Sequence, residues 1–175
     1  MGRSTAVLDD IEDLIPRLRR YTRLFVGHTN IADDLVANCL STAVDRIGSL
    51  KWGEDLLIWL LSIQQEVIQA QEYRLSILQG ADITGGRSNG SDTSWASQTL
   101  PDAIASALLH LPMRERAVLL LVVVEGLSYG EAAKLVGIAV EGIPPLLSKA
   151  RASIQRIVEA DHGFAEGQPE HPVLP

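Results

Sequence analysis

Apolar residues along this chain recur at three- and four-residue spacing almost throughout, which predicts helices and no strands. From Asp9, the residues Ile11, Leu14, Ile15, Leu18, Tyr21, Thr22 and Phe25 form one such stripe. Pro16 lies inside it, so the helix proper is expected to start there, with residues 1–8 frayed. Asn30 is placed to cap a second helix, Ile31 to Ile47, whose apolar face is Leu35, Val36, Cys39, Leu40 and Ala43. Asp33 and Asp34 then fall in its first turn, where negative charge suits the helix end. A third helix is expected from Glu54 to about Leu78, with Leu57, Trp59, Leu60, Ile63, Val67 and Ile68 apolar.

The periodicity then lapses. Residues 80–98, GADITGGRSNGSDTSWASQ, are rich in glycine and serine and predict a flexible linker. Beyond it, Leu100-Pro101-Asp102 opens a helix to His110, and Leu111-Pro112 opens another from Met113 to Glu125, closed by Gly126. The run Leu119 to Val124 is apolar on all sides and is expected to be a buried helix. Ser128 and Glu131 form an S-x-x-E capping box that starts the next helix at Tyr129, and Gly137 ends it. A last helix resumes near Glu141 and passes Ile154. Ala133, Gly137 and Ile143 have helix-turn-helix spacing: a small residue at the crossing, a glycine in the turn, an apolar residue under the second helix. The expected architecture is all-α: a three-helix domain at 9–79, the linker at 80–98, a four-helix domain at 99–160 and a disordered tail at 161–175.

Composition adds limits. The chain has 175 residues, 46% apolar and 21% charged, a globular balance. Its single cysteine, Cys39, excludes an internal disulfide and a cysteine metal cluster. Residues 1–10 lack the apolar core of a signal peptide, and no apolar run spans a bilayer, so a cytoplasmic protein without membrane contact is expected. The net charge of −7 argues against strong non-specific DNA binding, although Arg17, Arg19, Arg20 and Arg23 form one dense basic cluster. That cluster reads either as a solvated face or as contact with an acidic partner or nucleic acid. The four histidines are scattered, and the glycine-rich stretch at 85–90 follows no strand and has no phosphate-loop lysine. No enzyme, cofactor, metal or small-molecule substrate is expected.

The motifs together carry a resemblance. Leu111-Pro112, Glu115 to Leu120, Glu125-Gly126-Leu127-Ser128-Tyr129, Glu131-Ala132-Ala133, Gly137 and Ser148-Lys149-Ala150-Arg151 resemble region 4 of extracytoplasmic-function (group IV) sigma factors. Ile15-Pro16, Leu18 to Tyr21, Ala32 to Val36, Trp59-Leu60 and Ile63 resemble region 2. The resemblance implies a bacterial transcription-initiation regulator, binding RNA polymerase core through region 2 and promoter DNA through region 4. It implies DNA contact at Ser128, Tyr129, Glu141, Ser148, Lys149 and Arg151. It implies polymerase or anti-sigma contact at Arg19, Arg20, Asp33, Asp34, Leu35 and Trp59.

The sequence departs from the family where DNA is read. The family's G-T-V-K-S-R stands here as Glu141-Gly142-Ile143-Pro144-Pro145-Leu146, and most of the cations after the region 2 tryptophan are gone, the run standing as Gln64-Gln65 and then Gln71-Glu72-Tyr73-Arg74. This loss resembles the sigma-like domain of the general-stress response regulator, which mimics a sigma factor and sequesters the anti-sigma factor. The alternative function is therefore such a mimic. In that family a phosphoryl-receiver domain follows the sigma-like half; no such pattern occurs up to Pro175, so control by phosphorylation is not assumed.

Overall fold

The computed structural model describes residues 2–71 and 102–165, and every regular element among them is helical. Helix α1 spans Gly2–Val26, α2 Thr29–Arg46 and α3 Leu56–Ala70. After residue 101, α4 spans Asp102–Leu109 and α5 Met113–Leu119, α5 running on as a π turn over Leu120–Val124. Helix α6 is Tyr129–Val136, and α7 is Ile143–Ala165. The linker at 80–98 with Trp95, the third helix beyond residue 71, and residues 166–175 of the tail lie outside the described residues.

Four boundaries differ from expectation, among them the end of α3, which stops at Ala70 with Gln71 as its C-cap and does not run on to Leu78. Helix α1 does not start at Pro16 but runs through it. An interior proline removes the bond to residue 12 and crowds its carbonyl. The apolar stripe nevertheless continues on the near side of it, with Ile11 buried and Val7 and Leu14 packed on the core, so tertiary packing holds the extra turns. Asn30 does not cap α2. Gly27 turns the chain with φ +78° and His28 is the extended cap residue, so the helix begins two residues earlier than expected. Asp33 and Asp34 therefore lie past the first turn. Helix α7 covers 161–165, the start of the expected disordered tail.

Where the signals are local, the elements follow them. Asp55 caps α3 by accepting from the Ile58 amide at 3.1 Å. At α6 the Ser128 amide donates to Glu131 Oε2 at 2.8 Å and the Glu131 amide returns to Ser128 Oγ at 3.3 Å. Gly137 ends α6 in the left-handed region, φ +73°, its amide donating to the Ala133 carbonyl.

One continuous core joins the two halves. Leu18, Tyr21 and Phe25 of α1, Leu35 and Cys39 of α2, and Leu60 and Ile68 of α3 meet Val118, Leu120 and Leu121 from the α5 segment. Gln65 donates to the hydroxyl of Tyr21, and burial pushes that hydroxyl's pKa up. Gln64 is fully buried with neither side-chain amide atom partnered. Gly27 packs directly under Leu109: a Cβ there would lie 2.5 Å from Leu109 Cδ1.

Gly27 and Gly137 thus separate two costs. At Gly137 an added Cβ meets open space, so Gly137→Ala is expected to cost only the left-handed backbone term, about 1–2 kcal/mol. Gly27→Ala carries a similar term and must also displace Leu109. Urea unfolding of both variants should rank Gly27→Ala as the more damaging, and equal losses would show that Leu109 yields freely.

Candidate functional site

The basic cluster of α1 is turned inward, onto the chain itself. Glu125, at the end of the π turn, has a side chain with 0% exposure. It takes Arg17 Nε at 2.5 Å and Arg20 Nη2 at 3.1 Å. Arg17 Nη2 also donates to the Glu125 carbonyl at 2.6 Å, and Arg20 Nη2 to the Val124 carbonyl at 3.4 Å. The other two arginines face α2: Arg23 reaches Asp33 at 3.2 Å and Arg19 at 3.7 Å. So Asp33 pairs across the helices rather than with its own helix end, and Asp34 remains exposed.

A second cation crosses in the opposite direction. Arg116 of α5 is buried, and its guanidinium donates to the carbonyls of Phe25 at 2.5 Å, Leu109 at 2.5 Å and Leu111 at 2.8 Å. These carbonyls close the C-terminal ends of α1 and α4, where helix dipoles favour positive charge. Burial lowers the Arg116 pKa to about 10, still charged at neutral pH. Sequence reasoning missed Arg116 and Glu125 as cross-lobe contacts, because each lies about a hundred positions from its partner and neither has a local signature.

Among residues expected at a polymerase or anti-sigma surface, Leu35 and Trp59 are instead core residues, 0% and 8% exposed. They shape the region 2 lobe but offer little surface. Arg20 is committed to Glu125, and Arg19 is exposed with a long-range pair to Asp33.

The helix-turn-helix is built as its spacing predicts. Ala133 is buried at the crossing and Ile143 is fully buried beneath α7, with Leu147 and Ala150 one and two turns on. Glu141 stands exposed in the short turn before α7, and the outer face of α7 carries Pro144, Pro145, Ser148, Lys149 and Arg151, all exposed. Leu146, at the family's arginine position, is half-buried and packs on the core. The amino end of α7 is poor in donors. The Gly142 amide bonds to the Ala139 carbonyl, the Ile143 amide to the Val140 carbonyl, and Pro144 and Pro145 have no amide hydrogen. A helix N-terminus binds phosphate through such free amides, and this one has none over 142–145. Ser128 and Tyr129 stand exposed at the start of α6, but the Ser128 hydroxyl donates to Glu131 at 2.6 Å within the cap.

Residues 11–64 match the family described as the Sigma2 domain of PhyR, and residues 102–154 match Sigma-70, region 4. The two matches fall on the two helical lobes. The chain is an extracytoplasmic-function sigma-like protein. It is 28% identical over 162 residues to the ECF RNA polymerase sigma factor EcfG of Rhodopseudomonas palustris (strain TIE-1), covering 92% of this chain and 90% of that one. Its fold resembles the sigma factor RpoE in complex with the anti-sigma factor NepR from Bartonella quintana, with TM-score 0.70 and 26% identity over 87% of this chain and 98% of that one. It also resembles the PhyRSL–NepR complex from Sphingomonas sp. Fr1, with TM-score 0.64 and 22% identity over 95% and 98% of the two chains. The sigma-like chain is thus a transcription regulator by family. Among its described residues, no helix is long and apolar enough to cross a membrane, and no group of three or more His, Cys, Asp or Glu is placed to hold a metal ion.

The capping box sets the start of the helix-turn-helix and has its own pH signature. The Ser128 hydroxyl, with help from the Ser128 amide, holds the Glu131 carboxyl below its ordinary value of 4.5. A depressed carboxylate contributes stability above its unfolded pKa and loses it as the pH falls through the folded value. Ser128→Ala should cost about 1 kcal/mol at pH 7. The penalty should shrink once the pH falls through the depressed folded value, below which Glu131 is protonated in both proteins. Paired thermal melts at pH 7 and below that value check this; a penalty independent of pH would assign the loss to the serine alone.

Proposed function

We propose that this sigma-like chain regulates transcription initiation by engaging an anti-sigma factor, and that it does not read a −35 promoter element. The observation that carries this reading is the amino end of α7. Its first three residues are Ile143, Pro144 and Pro145, the one amide hydrogen among them is already bonded, and the exposed carboxylate of Glu141 precedes them. In helix-turn-helix proteins this end meets base edges and phosphates. Here it offers neither amide nor cation, and a negative charge stands where phosphate would approach. Lys149 and Arg151 lie a turn or more farther on and suit backbone contact at best. The similarity to an RpoE solved with the anti-sigma factor NepR, over nearly the full length of both chains, supports a partner of that class.

A second reading is favoured by a different observation. The similarity to EcfG, a sigma factor, extends over 92% of the chain and so includes both lobes. On that reading region 2 binds RNA polymerase core and region 4 still docks on promoter DNA through Lys149, Arg151, Ser148 and Tyr129.

Affinity capture with the full chain as bait separates the two. Recovery of a small anti-sigma protein without polymerase core supports the proposal; recovery of core enzyme with promoter DNA supports the sigma factor. Titration with DNA tests the carrying observation directly. Pro144→Lys with Pro145→Ser restores a cation and a hydroxyl at exposed sites. It is expected to raise DNA affinity and steepen its log–log salt slope by about 0.9 for the added phosphate contact, while leaving anti-sigma capture unchanged. Tight, salt-dependent promoter binding by the wild-type chain, weakened by Lys149→Ala and Arg151→Ala, would overturn the proposal.

A further inference from the structure

The seam between the lobes is crossed by charge in both directions. Glu125 belongs to the region 4 lobe and its two partners to α1, at sequence separations of 108 and 105. Arg116 belongs to the region 4 lobe and holds the Phe25 carbonyl at the far end of the same helix. Because the early residue of the α5 segment meets the late residue of α1, and the late one the middle, the two segments run antiparallel. Between them, two polar anchors set their register. Gly27 lies against Leu109 at the same seam, so the backbones approach closely only because that position has no side chain.

The Glu125 anchor has an asymmetry. Its carboxylate has no exposure, whereas Arg17 and Arg20 are 38% and 41% exposed. A buried carboxylate deprived of its cations is costly, while a released arginine is readily hydrated. The closed arrangement is therefore stable only with the arginines turned inward. Parting the lobes hydrates Glu125 and releases both cations together.

We propose that this seam is an autoinhibitory latch: in the closed chain Glu125 withholds Arg17 and Arg20 from outside acidic ligands, and opening the lobes presents them. The basic cluster of α1 is then a conditional surface. Its outer members, Arg19 and Arg23, sit against Asp33 on α2 in either state, since that pairing is internal to the region 2 lobe. The inner two change partner with the lobe arrangement.

Two measurements on the full chain test this. Spin labels on Val44→Cys and Ala152→Cys, both exposed, report the lobe separation. Native Cys39 does not compete for label, because it is buried and its thiol pKa is pushed up to about 12. The wild-type chain is expected to give one narrow distance. Glu125→Gln should add a longer, broader component, and Arg17→Gln with Arg20→Gln a larger one, because it strands the buried carboxylate. Each variant is first checked for wild-type helical content, and the arginine pair serves if Glu125→Gln fails to fold. Heparin, a polyanion, probes the released cations. Glu125→Gln is expected to elute at higher salt than Glu159→Gln, which makes the same change of net charge on exposed α7. An unchanged narrow distance in both latch variants, or equal elution of the two glutamine variants, would overturn the latch.

Discussion

A carboxylate with no access to water decides how this chain is put together. Glu125 ends the π turn after α5, and its burial is tolerable only because two guanidinium groups from α1 reach it. Arg116, one lobe's cation under the other lobe's helix end, completes the arrangement from the opposite side. Apolar contact between the lobes supplies most of the burial but is indifferent to small slides. The two charge anchors are directional, and they tie the register of α1 against α5 to named atoms. The π turn contributes here: its wider winding is the local departure that ends with Glu125 aimed at α1.

The same constraint redistributes the charges on which function depends. A chain with net charge −7 has few cations to spare. Four of them lie in the basic cluster of α1, and all four face carboxylates of this chain. What remains on the helix-turn-helix is Lys134 on α6 and Lys149, Arg151 and Arg156 on α7, none of them in the first turn of α7, which contains two prolines. The sigma scaffold is intact, down to Ala133, Gly137 and Ile143. The donor chemistry that scaffold ordinarily presents to DNA is missing from the end of the helix where it would act. A partner that recognises the shape of the two lobes, rather than the nucleic-acid face, fits this distribution.

Features legible in the sequence were those whose partners lie within one helical turn. The Ser128–Glu131 box, the Gly137 stop and the helix-turn-helix spacing depend on contacts three to ten residues apart, and the structure has them where they were expected. Errors arose where a local signal met a stronger distant one. Pro16 looked like a helix start, but the apolar stripe on both sides of it is packed and carries the helix through. Asn30 looked like a cap, but the tight turn at Gly27, pressed on Leu109, started α2 earlier. Asp33 looked like a dipole partner, yet Arg19 and Arg23 of the neighbouring helix claim it. Leu35 and Trp59 looked like contact residues through the family resemblance and are core.

By itself, then, the sequence determined the helical class, the helix-turn-helix and its degraded recognition face, and the membership suggested by the motifs. These depend on short-range periodicity and on side-chain chemistry that is the same in any fold. Tertiary structure alone decided that the arginine cluster points inward, that Glu125 and Arg116 pin the two lobes together, and that the amides at the start of α7 are spent. Those outcomes depend on which groups meet across a hundred residues of chain, and on the cost of burying a charge without its partner, neither of which leaves a mark in local sequence.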